Sequence, residues 1–528
     1  MLSDFEPDAK HHDVTPLVSR TTKPRASLQL IPSAPPPPAP EERKGPAPAS
    51  AEYAIEHAAA HTEVFRSAEG EAFVLFDDDD SGRPVRHTGG SRSPAVGRIT
   101  DQVYAECGRY CGADARATLG YWLDRRADEA MPRPVRMRSA WDGQRFVVDV
   151  GDASGRVLII DRTGWRYADA PPAGVYLRRS SVTAALPVPA EVGDVDALWP
   201  LVPVAEADRS LVLALMLIAW MQDTAQPVVF GTGPQDAGKT VTFRFVLRFV
   251  DPVSNLRGRS LPTSEPDWKA AVAPYRVVLI DNVSGITGAQ SDMICKVATG
   301  GEATARALYT DDTAHITSLN ASLWMTSIGV GALRGDLGSR MIRLELPAIT
   351  PERRRTLSDL QAAQEEAAPR IMRGLLDLAV QVLQVLPTTD RTNLRHRLTD
   401  FEVLVRAVDT VLGTRGAALL AVQADGLAED VIDGDPVARA LVAAVATNRL
   451  GDGRIAPGTL LEVLSAIAGP EATRSPGWPR TPRILWDHLV RVAPALAATE
   501  GIEVDNKILG KSNGVRRWLV TKTERASS

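Results

Sequence analysis

The sequence predicts a multidomain α/β protein whose central domain is a three-layer sandwich, with helices on both faces of a largely parallel sheet. Two observations carry this. Short apolar runs at 227–230, 276–280, 321–325 and 341–346 read as buried strands, with helix-compatible segments between them. Directly after the first run, Gly233-Pro234-Gln235-Asp236-Ala237-Gly238-Lys239-Thr240 matches G-x-x-x-x-G-K-[ST] at every fixed position and leads into the helix-compatible 241–247.

Length and composition bound the rest. The chain has 528 residues, which implies about three or four domains. A 44% hydrophobic and 24% charged composition is ordinary for globular protein, and a net charge of −5 exerts no global pull on nucleic acid or anionic membrane. Any nucleic-acid surface must therefore be local. Three cysteines, Cys107, Cys111 and Cys295, are too few for a disulfide framework, and the acidic start lacks an apolar signal region. A cytoplasmic location is expected. The Cys107/Cys111 spacing lacks the second ligand pair a metal site needs, so buried structural thiols are expected. The most apolar stretch, 211–221, is shorter than the roughly 20 residues that span a bilayer and reads as a core helix.

In chain order, residues 1–50 carry Ala34-Pro35-Pro36-Pro37-Pro38-Ala39-Pro40 and read as a disordered, Pro-rich tail. From 51 to 190 a helical start over 51–65 gives way to β-like pieces at 73–76, 145–150 and 157–160, an α+β domain. Asp77 to Asp80 precede the turn signal Ser81-Gly82-Arg83-Pro84 and read as an acidic loop rather than a metal site. The nucleotide-binding domain spans 191–350. A helical region covers 351–434, with Ile371, Leu375, Leu378, Val382 and Leu386 near a helical period. The final domain covers 435–528.

The motif dictates chemistry. Backbone N–H groups of the loop 233–240 turn inward around phosphates, the Lys239 ammonium reaches the β/γ oxygens, and the Thr240 hydroxyl ligates Mg²⁺. Val277-Val278-Leu279-Ile280-Asp281-Asn282 follows about forty residues later. At the carboxyl end of a parallel strand beside the loop, Asp281 is expected to hold the Mg²⁺ shell. ATP and Mg²⁺ are the expected cofactors.

Further on come Lys296-Val297-Ala298-Thr299-Gly300-Gly301-Glu302-Ala303-Thr304-Ala305-Arg306-Ala307-Leu308-Tyr309 and Leu323-Trp324-Met325-Thr326. With the loop and the Asp281 strand, these motifs resemble the superfamily-three helicases of phages, plasmids and DNA viruses, especially the ATPase half of primase-helicases. The resemblance implies an AAA+-like ring motor, hexameric, moving along single-stranded DNA in its channel. It implies that Arg306 and Tyr309 flank the channel hairpin and that Thr326 is the first sensor. Arg340, with Arg334 as second choice, becomes the arginine finger reaching a neighbour's site. Three departures stand out. Asn282 replaces the family's carboxylate, and an amide orients water but cannot take its proton. Thr326 stands where asparagine is usual. Asp311-Asp312 place acid near the hairpin tip, opposing a phosphate backbone.

At the C-terminus, 455–464 reads as a turn and helix, and Thr481 caps a second helix with Pro482 in its first position. Strands at 502–504 and 515–520 flank the polar tip Gly510-Lys511-Ser512-Asn513-Gly514. Helix, helix and hairpin make a winged helix, resembling the C-terminal domain of phage primase-helicases. From 471 to 528 there are ten Lys/Arg against six Asp/Glu, opposite in sign to the whole chain. Arg480, Arg483 and Arg491 on the helix and Lys511, Arg516 and Arg517 on the wing are the expected duplex contacts. Two functions stay open: a replication helicase of a phage, plasmid or mobile element, and a non-motor switch that assembles on ATP.

Overall fold

The computed structural model describes residues 47–79, 81–254, 257–306, 314–327, 335–475, 477–506 and 517–523. The Pro-rich tail up to residue 46, Tyr309, Asp311, Asp312, Arg334, Lys511 and Arg516 lie outside them. The chain divides at Ala47/Pro48, and the helices and strands of the described residues belong to the unit from Pro48 onward.

Helix α1 (Ala51–His61) starts on the Ser50 hydroxyl, which accepts the Tyr53 N–H. It stops earlier than the expected 65, because Thr62 and Val64 enter strand β1 (Thr62–Arg66), and β-branched residues fit a pleated surface. β1 pairs antiparallel with β2 (Ala72–Phe76), and β2 with β3 (Val85–His87). Helices α2 (Pro94–Cys107) and α3 (Ala113–Glu129) follow. The acidic loop is tied down: Asp78 and Asp79 pair with Arg98 at 2.6 and 2.9 Å. Cys107 and Cys111 are half-buried and Cys295 is buried, all three free.

A parallel pair, β4 (Val135–Met137) with β9 (Tyr176–Arg178), brackets a meander of β5 (Ser139–Trp141), β6 (Phe146–Asp149), β7 (Val157–Asp161) and β8 (Gly164–Ala168). Phe146, Val148, Leu158 and Ile160 of that meander share one core with helix α4 (Arg209–Trp220), whose residues are buried from Ser210 to Trp220. The expected core helix at 211–221 is this one.

The central sheet has the order β11-β14-β10-β15, formed by β10 (Val228–Thr232), β11 (Val277–Ile280), β14 (Ser322–Thr326) and β15 (Met341–Glu345), parallel throughout. Its faces belong to different cores, as alternation along a strand requires. Val229, Val277, Leu279, Trp324, Ile342 and Leu344 pack with α4, with α5 (Lys239–Leu247) and with α9 (Leu357–Val385). Val228, Phe230, Val278, Ile280, Leu323, Met325 and Met341 pack with α6 (Glu265–Val272) and α7 (Gly288–Ala298). Between α7 and β14, the strands β12 (Gly301–Arg306) and β13 (Ala314–Leu319) form an antiparallel hairpin.

Of the described helices, the run Leu357–Thr388 is long and apolar enough to cross a membrane by length and composition. Its Ile371, Leu375, Leu378 and Val382 are instead buried in the core shared with α4. After the short helix α8 (Gly335–Gly338) and α9 come α10 (Thr399–Leu412), α11 (Gly416–Gly434) and α12 (Pro436–Ala446). The chain ends with β16 (Arg454–Ile455), α13 (Pro457–Arg474), α14 (Pro482–Glu500), β17 (Ile502–Asp505) and β18 (Trp518–Lys522) in a sheet of order β16-β18-β17. The sequence reading missed β16, a two-residue strand too short to carry a period. It also missed the break in α13 at Gly469, whose φ of 79° interrupts the helix.

Candidate nucleotide site

Three parallel strands deliver the site at one edge of the central sheet. β10 ends at Thr232 and opens into the loop Gly233 to Gly238, β11 ends beside Asp281, and β14 ends at Thr326. The carboxyl edge of a parallel sheet is where such crevices form, because the strand order reverses there. Here β14 lies between β10 and β11, although β11 precedes it in sequence.

Close backbone approach shapes the loop. Gly233 sits at φ 141°, and a Cβ there would lie 2.2 Å from the Leu346 carbonyl oxygen. Asp236 and Gly238 are left-handed at φ 63° and 67°. Pro234, Gln235 and Asp236 are exposed at the rim, while Ala237 is buried beneath. Lys239 begins α5, and its Nζ donates to the carbonyls of Gly233 at 2.9 Å and Pro234 at 2.7 Å. The ammonium is thus held over the mouth of its own loop.

At the second residue of that helix, the Thr240 hydroxyl donates to Asp281 Oδ1 at 2.6 Å. The Thr326 hydroxyl, almost fully buried, donates to the same oxygen and accepts the Asn282 N–H at 2.9 Å. Asp281 is therefore gripped by both threonines. A hydroxyl and a carboxylate side by side form the hard oxygen donor set that suits Mg²⁺, and Gly233 and Gly238 at positive φ give the loop the turn a phosphate-binding backbone needs, so the residues fit the expected nucleotide and metal. Asn282 is exposed and left-handed at φ 57°, a conformation asparagine tolerates.

Two supports were not foreseen. Gly258 lies against the site so closely that a Cβ there would sit 2.1 Å from Asp281 Cβ. Its neighbour Arg259 donates its N–H to Leu279 O and accepts the Asp281 N–H at 2.8 Å, adding a strand-like rung to the edge of β11. A lone glycine between two arginines carries no sequence signal for this. At the other end of β11, the buried Asp251 carboxylate accepts the N–H groups of Arg276 at 2.8 Å and Val277 at 3.0 Å, which pins where the strand starts. Burial pushes the Arg276 guanidinium down to about 10.

The remaining predicted residues lie elsewhere. Arg340 is 8% exposed, and its Nη1 reaches the Asp336 carboxylate at 2.6 Å, the Asp336 carbonyl at 2.8 Å and Cys295 Sγ at 3.7 Å. Its guanidinium is turned inward in this chain. Arg306 closes the β12 side of the hairpin, in register with Ala314. Arg480, Arg483, Arg491 and Arg517 are exposed on the C-terminal part.

Comparison with solved structures finds distant likenesses. The SCCmec type IV Cch active helicase has 13% identity and a TM-score of 0.41, the alignment covering 88% of this chain and 93% of that one. The NrS-1 C-terminal region in its A-form apo structure has 11% identity and a TM-score of 0.34, with 88% and 98% covered. The JCV helicase has 13% identity and a TM-score of 0.23, with 44% and 63% covered. Comparison with curated proteins gives no significant match. Residues 195–430 match the family model described as actinomycete integrative conjugative element replication protein, and residues 437–528 match the model of the C-terminal domain of the same protein. With these two adjacent matches spanning well over half its length, the chain belongs to the replication proteins of actinomycete integrative conjugative elements.

Proposed function

We propose that the chain is an ATP-driven DNA helicase or translocase acting in replication of its mobile element, with an AAA+-like domain of superfamily-three type at 191–350. The observation that carries this is the meeting of Lys239, Thr240, Asp281 and Thr326 at one edge of the parallel sheet. Mg²⁺ held by Thr240 and Asp281 would neutralise charge on the transferring phosphoryl group. Lys239 would leave the Gly233 and Pro234 carbonyls for phosphate oxygens. Thr326, tied to both Asp281 and the Asn282 backbone, would report occupancy to the segment after β11.

In this reading 51–190 is an adaptor domain, 351–434 a helical support and 435–528 a winged helix. A homo-oligomeric ring, hexameric by resemblance, would line its channel with hairpins carrying Arg306 and Tyr309. Duplex would meet Arg480, Arg483, Arg491, Lys511, Arg516 and Arg517. The order α12, β16, α13, α14, β17, β18 supports the winged-helix assignment. ATP turnover with and without single-stranded DNA, unwinding of a forked duplex, and imaging with a non-hydrolysable ATP analogue test the whole. DNA-stimulated turnover and nucleotide-dependent rings are expected; absence of ATP binding overturns the proposal.

One observation favours a second reading, a switch that assembles on ATP without translocating. Asn282 presents an exposed amide where a proton acceptor would speed hydrolysis. Rings that form on ATP yet neither turn over nor unwind would select it.

A further inference from the structure

We propose that helix α14 reads base sequence in the major groove of duplex DNA through Ile484 and Asp487, beside any contact its arginines make with phosphates. This rests on the reading of 435–528 as a DNA-binding domain.

The helix is anchored on one side and bare on the other. Thr481 caps it by accepting the Ile484 N–H, and Leu485, Leu489, Val492 and Leu496 sink into the core shared with α11, α12 and α13. Pro494, Ala495 and Ala498 line the cleft against α11, so the second half of the helix is committed to the protein. The first half is committed on one face only, through Leu485, Leu489 and the 2.6 Å pair of His488 with Asp435. Arg483, Ile484, Asp487, Val490 and Arg491 recur every three or four residues and are all exposed, Ile484 at 47% and Val490 at 50%. That spacing is one face of a helix.

The composition of this stripe does not suit phosphate alone. Arginines would serve a backbone contact, but a carboxylate among them is repelled by phosphate, and an exposed isoleucine does nothing for it. The major groove offers partners for all three: guanine O6 and N7 for Arg483, a thymine methyl for Ile484, and the cytosine N4 amine for Asp487. Asp487 follows Arg483 by four residues, about 6 Å of helix rise, which spans about two base steps. Arg483 and Asp487 could pair across that turn, but no ion pair joins them among the described residues, which leaves both heads free for bases. N-terminal residues of a groove-seated helix are the ones that meet base edges.

The test selects preferred duplexes from a library with a randomised core, using the full-length chain and its Ile484→Ser, Asp487→Ala and Asp487→Asn variants. The wild type is expected to enrich a motif containing cytosine and thymine. Asp487→Ala should lose discrimination at one position by about tenfold or more, with salt dependence intact. Asp487→Asn should move that position from cytosine toward adenine, since an amide pairs with adenine N6 and N7. Ile484→Ser should lose the thymine preference. Because these side chains are exposed, folding is checked by an unchanged melting temperature. Salt-dependent duplex binding without any motif, or the same motif from every variant, overturns the inference while leaving the DNA-binding reading intact. If replacing Arg480, Arg483, Arg491, Lys511, Arg516 and Arg517 together by alanine leaves duplex affinity unchanged, the DNA-binding reading itself fails, and the stripe is a protein contact.

Discussion

The Thr240 hydroxyl donates a 2.6 Å hydrogen bond to Asp281, although 41 residues separate the two in sequence. That bond joins the loop, through α5, to the end of β11, which lies two strands from β10 in the sheet.

Lys239→Ala should abolish ATP binding and leave the fold intact. Among the described residues the side chain bonds to the loop's own carbonyls, so its loss leaves no partner carboxylate unpaired there. Calorimetric titration with ATP, alongside a thermal melt, checks both halves; unchanged nucleotide affinity would refute the assignment.

Gly233→Ala should do more damage than Lys239→Ala. Its Cβ would clash with the Leu346 carbonyl, and φ of 141° is hostile to alanine. We expect lost ATP binding together with a stability cost of about 1–3 kcal/mol, read from chemical denaturation.

Arg340 bears on how a ring would work. Reaching a neighbour's phosphate would require opening its pair with Asp336. If that happens, mixing Arg340→Ala with Lys239→Ala subunits should restore part of the turnover, because one intact loop then faces one intact finger. Mixed rings without rescue would leave Arg340 as an internal brace for α8.

Asn282→Asp offers the missing carboxylate in a residue that also tolerates the left-handed backbone at φ 57°. If chemistry limits a slow motor, hydrolysis should rise, with general-base gains of about 10²-fold possible. A shorter lifetime of the ATP-bound assembly without unwinding would instead mark a switch. Unchanged hydrolysis and unchanged lifetime would show that position 282 does not face the attacking water.

His396 sets an acid limit on stability. Burial pushes its pKa down to about 4 from 6.5, and its Nδ1 accepts the Leu398 N–H, so the folded state holds the ring neutral. A group protonated more readily when unfolded costs stability as pH falls from 6.5 to 4, after which the loss levels off. The full drop is about 3 kcal/mol. His396→Asn keeps an acceptor and removes the titration, and should flatten the pH dependence of denaturant midpoints across that window.

Much of this was legible in advance because it is local. The motif from Gly233 to Thr240, the apolar run ending at Asp281 and the helical period of Ile371, Leu375, Leu378 and Val382 are short-range patterns, and each corresponds to the element found there. Element ends were less legible. Thr62 left α1 for a strand because of a partner at Phe76, distant in sequence.

By itself, the sequence determined where a phosphate-loop motif stands and which segments must be buried, since motif spacing and apolar periodicity depend on near neighbours. Only the tertiary structure decided that β14 inserts between β10 and β11 and so brings Thr326 onto Asp281. It also decided that Gly258 backs Asp281, and that Arg340 turns inward to Asp336. Those outcomes depend on strand order and on which side chains meet across the core, and such contacts are selected by the packing of the whole chain rather than by any single stretch of it.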